Sequence, residues 1–309
     1  MRALDVRTRT VEGAYSVGFR RLSQGGALAV TKRRSDRVVK SFNQAQITWV
    51  VSPGRTGTKT LSHLLNQLPG VRSEHEPDPQ YRHVLRGVDT RRCENAVGFL
   101  VALKVPATLW AARNHAYVET SHLFSKGLFE ASLALGLAPQ LLCVTRDPAA
   151  VASSLLKINA VPGRSRADQY LLRPSDEAYL SLGSQDGLSP YQLCLWYALE
   201  IQLRAELYKQ VALQAGLSWV SMSTSDMNDV GAMTTVAEDL GLADRATAES
   251  AFEGIVGQRL NTKIPSPAEI DDPDRQHADL LARVVRTGIA EDVFERIERI
   301  RKRLGIGSQ

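Results

Sequence analysis

The chain has 309 residues, 43% of them hydrophobic and 23% charged, with a formal net charge of +5. That length suits one large α/β domain or two ordinary ones, and that composition excludes a wholly disordered chain. No apolar run approaches the roughly 18 residues of a membrane span, and three cysteines (Cys93, Cys143, Cys194) fit neither metal-ligand spacing nor a disulfide scaffold. A reducing, cytoplasmic setting is the expectation.

Residues 1–40 carry ten Lys and Arg against Asp5, Glu12 and Asp36, a net of +7, so the remaining chain is close to neutral. This segment reads as a basic, partly helical arm lying on the domain or on an anionic partner or surface. A neutral body gives no support to nucleic-acid binding, and none is expected. Residues 46–51 (QITWVV) form a short, β-branched apolar run, the pattern of a parallel strand buried on both faces. Ser52-Pro53-Gly54-Arg55-Thr56-Gly57 is turn-rich. Leu61, Leu64, Leu65 and Leu68 then follow helical spacing up to Pro69-Gly70. Strand, glycine-containing loop and helix open a phosphate-binding βα unit.

Further strands are predicted at 97–103, 116–119, 140–145 and 217–221, separated by helical patterns, so the fold class is α/β with a parallel sheet covered on both faces. Residues 160–188 lack periodicity and read as a loop. Ser189, Pro190 and Gln192 read as an N-cap, a first-turn proline and a capping-box partner for a helix to about Gln210. Residues 261–275 form a second loop before a final amphipathic helix at about 276–304. There is no internal repeat.

The loop offers helix-start amides, two cations (Arg55, Lys59) and three hydroxyls (Thr56, Thr58, Thr60) to a phosphate. It is not the kinase loop G-x-x-x-x-G-K-[ST]. Aligning Lys59-Thr60 with that pattern puts Pro53 and Thr58 where glycines are required. Arg55-Thr56-Gly57-Thr58-Lys59-Thr60 instead resembles the 5′-phosphosulfate loop of the sulfotransferase family, with Lys59 where a threonine is common. Residues 141–154 (LLCVTRDPAAVASS) are similar to that family's 3′-phosphate site: a strand ending in Arg146-Asp147-Pro148, with Ser154 eight residues after the arginine. Arg146 can give a phosphate bidentate donors. Asp147 and Pro148 suit a helix start.

The resemblance covers about residues 46–260. It implies a single domain with a central parallel sheet flanked by helices and a P-loop-like phosphosulfate loop. The domain would span 41–275, after the arm at 1–40 and before a packed C-terminal helix at 276–309, with 160–188 as a substrate-side lid. The implied donor is 3′-phosphoadenosine 5′-phosphosulfate (PAPS) and the product adenosine 3′,5′-bisphosphate (PAP). The sulfuryl group would pass in line, without a metal, to a hydroxyl or amine of a small molecule or glycan. Arg55 matches the family's cation at the bridging oxygen. Glu76 matches, by spacing, a glutamate base of tyrosylprotein-type relatives, with His75 beside it. A second cluster, Glu119-Thr120-Ser121-His122, ends a predicted strand where such sheets bind ligands; Glu119 and His122 either contact the acceptor or cap the next helix. Lys104-Val105-Pro106 resembles a Lys-x-Pro motif one strand too early. Arg259, Asn261 and Lys263 precede a late loop without the usual Arg-Lys-Gly pattern. Cys143, Trp196 and Tyr197 read as packing residues. The competing readings are a P-loop-type nucleotide kinase or NTPase with Asp147 as a Mg²⁺-binding acid, and a degenerate nucleotide-binding module.

Overall fold

The structure, a computed structural model, describes residues 32–80, 92–165, 169–257 and 270–305. Five parallel strands form the central sheet: β1 (Ile47–Val51), β2 (Val71–Glu74), β3 (Ala116–Glu119), β4 (Gln140–Thr145) and β6 (Trp219–Ser223), in the order β2-β3-β1-β4-β6. Every residue of β1 is buried, as an apolar strand covered on both faces requires. Alternation along the strands divides the core in two. Trp49, Val51, Leu141 and Cys143 join one apolar cluster, while Val50, Leu142 and Val144 join the other.

Helix α1 (Lys32–Asn43) precedes β1, and α2 (Thr58–Leu65) follows it. Then come α3 (Arg92–Phe99), α4 (Val105–Ala111), α5 (Phe129–Leu135), α6 (Pro148–Lys157) and the long α7 (Pro190–Gln214). Helices α8 (Val230–Asp239), α9 (Arg245–Phe252), α10 (Pro273–Leu281) and α11 (Ala290–Leu304) complete the chain. The leucines of α2 pack with α8 and α9 on one face of the sheet, and Val151, Ala152 and Leu155 of α6 pack with α5, α7 and α11 on the other. The helices that follow β1 and β4, two neighbouring strands, therefore leave toward opposite faces. That divergence opens a crevice at the carboxyl ends of the two strands, the place where open α/β sheets bind ligands.

Four predicted elements are corrected. Residues 97–103 are not a strand: they belong to α3 and a five-residue π turn, Leu100–Lys104. Val97, Phe99, Leu100 and Val101 are all buried, and a segment buried all round has an apolar run that periodicity does not distinguish from a strand. Helix α2 stops at Leu65, with Leu68 buried just beyond it, and β6 starts two residues later than expected. The final helix is two helices. Between them β7 (Val284–Arg286) pairs antiparallel with β5 (Leu180–Leu182), a short strand inside the expected 160–188 loop. The backbone amides of Thr287 and Gly288 both donate to Tyr179 O, and a Cβ on Gly288 would come within 2.1 Å of the Tyr179 ring, so this turn has room only for glycine. Helix α7 begins as its sequence predicts, with Ser189 and Gln192 forming the capping box and Pro190 in the first turn, and runs on to Gln214. No helix among the described residues is long and apolar enough to cross a membrane.

Candidate functional site

The loop after β1 is held from several sides. Ser52 Oγ lies 2.7 Å from Thr56 Oγ1 and accepts from the Gly54 amide at 2.9 Å. Tyr197 of α7 donates its hydroxyl to Pro53 O at 2.7 Å. Thr224, just past β6, has its hydroxyl 3.2 Å from Thr56 O and 3.1 Å from Thr145 O, bridging the loop to the end of β4. Gly57 has φ +77°, and an added Cβ would meet Met227 Sδ at 3.2 Å, so the turn into α2 needs glycine for both backbone and space. Among the described residues no side chain caps α2, which leaves its first amides and the positive end of its dipole to serve an anion. Thr56 and Thr58 are buried, Thr60 half-buried, and Lys59 exposed in the first turn.

The second motif meets this loop directly. Arg55 Nε donates to Ser154 Oγ at 3.0 Å, and Arg146 Nη1 donates to Arg55 O at 2.6 Å. Burial and then the neighbouring Arg146 lower the Arg55 guanidinium from its ordinary range, with Glu76 acting against them. Two cations held side by side in this way favour a multiply charged anion between them. Asp147 caps α6 as expected, accepting from the Ala150 amide at 2.7 Å, with Pro148 in the first turn. Beside Arg146 a cavity of about 190 Å³ lies between the sheet and α7, lined among others by Pro53, Thr145, Ile201 and Trp219.

Across the loop, Glu76 and His122 come together. His122 Nε2 is 3.2 Å from Glu76 Oε1, and Lys126 Nζ is 2.6 Å from His122 Nδ1. An ammonium only donates, so Nδ1 is the acceptor and the ring proton sits on Nε2, facing Glu76. His122 thus has no free lone pair, and basicity in this pair resides on the carboxylate. Burial, then Lys126, hold the imidazole well below its ordinary range, so it is neutral near pH 7. Lys126 also donates to Tyr170 O and lies 5.1 Å over the Tyr197 ring. The His122 ring touches the loop after β1: a Cβ on Gly54 would come within 3.2 Å of its Cγ.

His75 turns elsewhere, with Nδ1 3.0 Å from Thr120 O. Glu119 is buried and pairs with Lys104 at 2.6 Å. Burial raises its carboxyl above the ordinary range, against the pull of Lys104. Its other oxygen, Oε2, has no partner among the described residues, nor has Trp49 Nε1, and both residues line a chamber of about 10 Å³, room for about one water. Glu119 therefore lies under the site, not at its surface. His122 caps no helix; it faces the loop. Burial pushes the Cys143 thiol up to about 12, as for a packing residue. Trp196 donates to Leu180 O at 2.9 Å, while Tyr197 has the further task of holding the loop. Arg259, Asn261 and Lys263 lie outside the described residues.

Comparison with protein-family models, with curated proteins and with solved structures finds no match.

Arg55, Arg146, Ser154, Glu76 and His122 are thus brought to one crevice. Roles for Lys126 and Thr224, and the pairing of Lys104 with Glu119, were not read from the sequence. Lys126 did carry a signal: it is a charge inside the apolar run LFSKGLFEASLAL, and a lysine in such a run is buried only when paired.

Proposed function

We propose that the chain is a sulfotransferase that moves a sulfuryl group from PAPS to a hydroxyl or amine. The observation that carries this reading is the meeting of two anion-binding motifs at one point, where Arg55 reaches Ser154 and Arg146 reaches the Arg55 carbonyl. One motif is the loop and helix start suited to the 5′-phosphosulfate; the other is the strand-end arginine and serine suited to the 3′-phosphate. The donor supplies an activated sulfuryl group. Arg55 and the α2 amides would take up the charge left on the departing phosphate oxygen as the bond breaks, in-line and preorganised. Glu76 would accept the acceptor's proton, since it is the basic member of the Glu76–His122 pair. His122, made a fixed donor by Lys126, would orient that carboxylate.

The kinase reading asks Asp147 to hold a metal, and its carboxylate already caps α6. The test is transfer of ³⁵S from labelled PAPS to a panel of phenols, alcohols, amines and oligosaccharides. Labelled product from at least one class supports the reading. Metal-dependent phosphoryl transfer from ATP, with no ³⁵S product, would replace it with the kinase reading.

A further inference from the structure

Glu76 stands at φ +48°, a backbone region that side chains other than glycine rarely occupy and that persists only when the surroundings fix it. The turn that follows it is gripped from below. Lys104, 5% exposed, places Nζ 3.3 Å from Pro77 O, 3.3 Å from Pro79 O and 2.6 Å from Glu119 Oε1. An ammonium has three hydrogens, and here three acceptors receive them. Glu119 is the last residue of β3 and is paired in register with Trp49 of β1 and Glu74 of β2, so the anchor point is the rigid sheet itself. Lys104 closes the π turn between α3 and α4, a helix irregularity common at functional sites. Buried ion pairs add little net stability compared with apolar residues of the same size. A positional role accounts better for this one.

We propose that Lys104 is a positioning residue: anchored on Glu119, its ammonium holds the Pro77–Pro79 turn and with it sets Glu76 against His122. The catalytic part of this role rests on the sulfotransferase reading; the tether itself does not. Removing Lys104 alone would strand a buried carboxylate, so the test changes both partners. Lys104→Met with Glu119→Leu deletes the donors. Lys104→Gln with Glu119→Gln removes the charges but keeps an amide donor toward the carbonyls.

Nitrogen-15 NMR of the histidine rings reads the hydrogen bond from His122 Nε2–H to Glu76, the tautomer itself being held by Lys126, and hydrogen exchange reads the amides of His75, Glu76, Asp78 and Gln80. The Met/Leu chain is expected to lose the His122 signature and to exchange at least tenfold faster over 75–80, while the Gln/Gln chain stays within about threefold of wild type. Retention of both signals in Met/Leu, or equal loss in both double variants, would overturn the tether. If Met/Leu does not fold, Lys104→Met with Glu119→Gln takes its place with the same two outcomes.

With PAPS and 2-naphthol as a probe acceptor, Met/Leu should lower kcat about 10²-fold and leave the donor KM unchanged, the scale of a displaced base. An unchanged kcat would remove the catalytic part of the role. A wild type that transfers nothing to any acceptor would count against the sulfotransferase reading, while the NMR result would still decide the tether.

Discussion

Arg55 and Ser154 are 99 positions apart in sequence, yet the guanidinium Nε donates to the serine hydroxyl at 3.0 Å. The fold explains the meeting. β1 and β4 are neighbours, their following helices diverge to opposite faces, and the loop of one and the first turns of the other converge on the crevice between them. Arg146→Ala should weaken binding of adenosine 3′,5′-bisphosphate by about 2–4 kcal/mol, since it deletes a charge-assisted phosphate donor and frees the Arg55 carbonyl. Ser154→Ala should cost about 1 kcal/mol, the scale of one hydrogen bond. Titration calorimetry reads both; wild-type affinity in both variants would remove this site from the account.

Gly57→Ala places a Cβ at φ +77° and 3.2 Å from Met227 Sδ. A loss of about 1–2 kcal/mol in stability is expected from the left-handed backbone alone, visible in urea unfolding. Bisphosphate affinity should fall as well, because the turn aims the first amides of α2. Unchanged stability would mean that this turn is not held as described.

Between the two candidates for the base, geometry favours Glu76. Glu76→Gln keeps the shape and removes the basicity, so turnover should drop about 10²-fold or more while bisphosphate binding persists. His75→Asn should matter much less, since His75 Nδ1 is turned to Thr120 O at 3.0 Å. Full activity of Glu76→Gln with collapse of His75→Asn would reverse the assignment.

His122 gives a prediction about acid stability. Unfolded, its imidazole takes a proton near about 6.5; folded, burial and Lys126 keep it neutral to much lower pH. The unfolded chain therefore binds more protons in acid. This contribution to stability is whole well above about pH 6.5 and is lost as pH falls below it, at up to about 1.4 kcal/mol per pH unit. Urea unfolding at pH 7.5 and 5.5 should show a steeper acid loss in wild type than in His122→Asn. Equal slopes would contradict a buried neutral imidazole.

Much of this architecture was legible in local sequence. The β1 run, the Ser189 capping box and the Asp147–Pro148 helix start each depend on neighbouring residues alone, and each stands where the pattern puts it. The segment 97–103 failed because burial on all sides erases the period that separates helix from strand. Strands β5 and β7 are short and join residues about a hundred positions apart, so nothing local marks them. At the site, Arg55, Arg146 and Ser154 were visible because their motifs are contiguous. Lys126 showed only as a lysine inside an apolar run, with nothing to name the Tyr170 carbonyl as a partner, and the role of Lys104 was not visible because the Pro77 and Pro79 carbonyls it holds lie on another segment.

The proposed function requires the crevice to hold a nucleotide bearing both a 5′- and a 3′-phosphate. The most direct measurement is calorimetric titration of the full chain, in EDTA, with adenosine 3′,5′-bisphosphate, AMP and ATP. The bisphosphate is expected to bind at least about 30-fold more tightly than AMP, because the second phosphate gains about 2 kcal/mol or more from Arg146 and Ser154. Equal affinities for the bisphosphate and AMP, or binding of ATP alone once Mg²⁺ is restored, would contradict it.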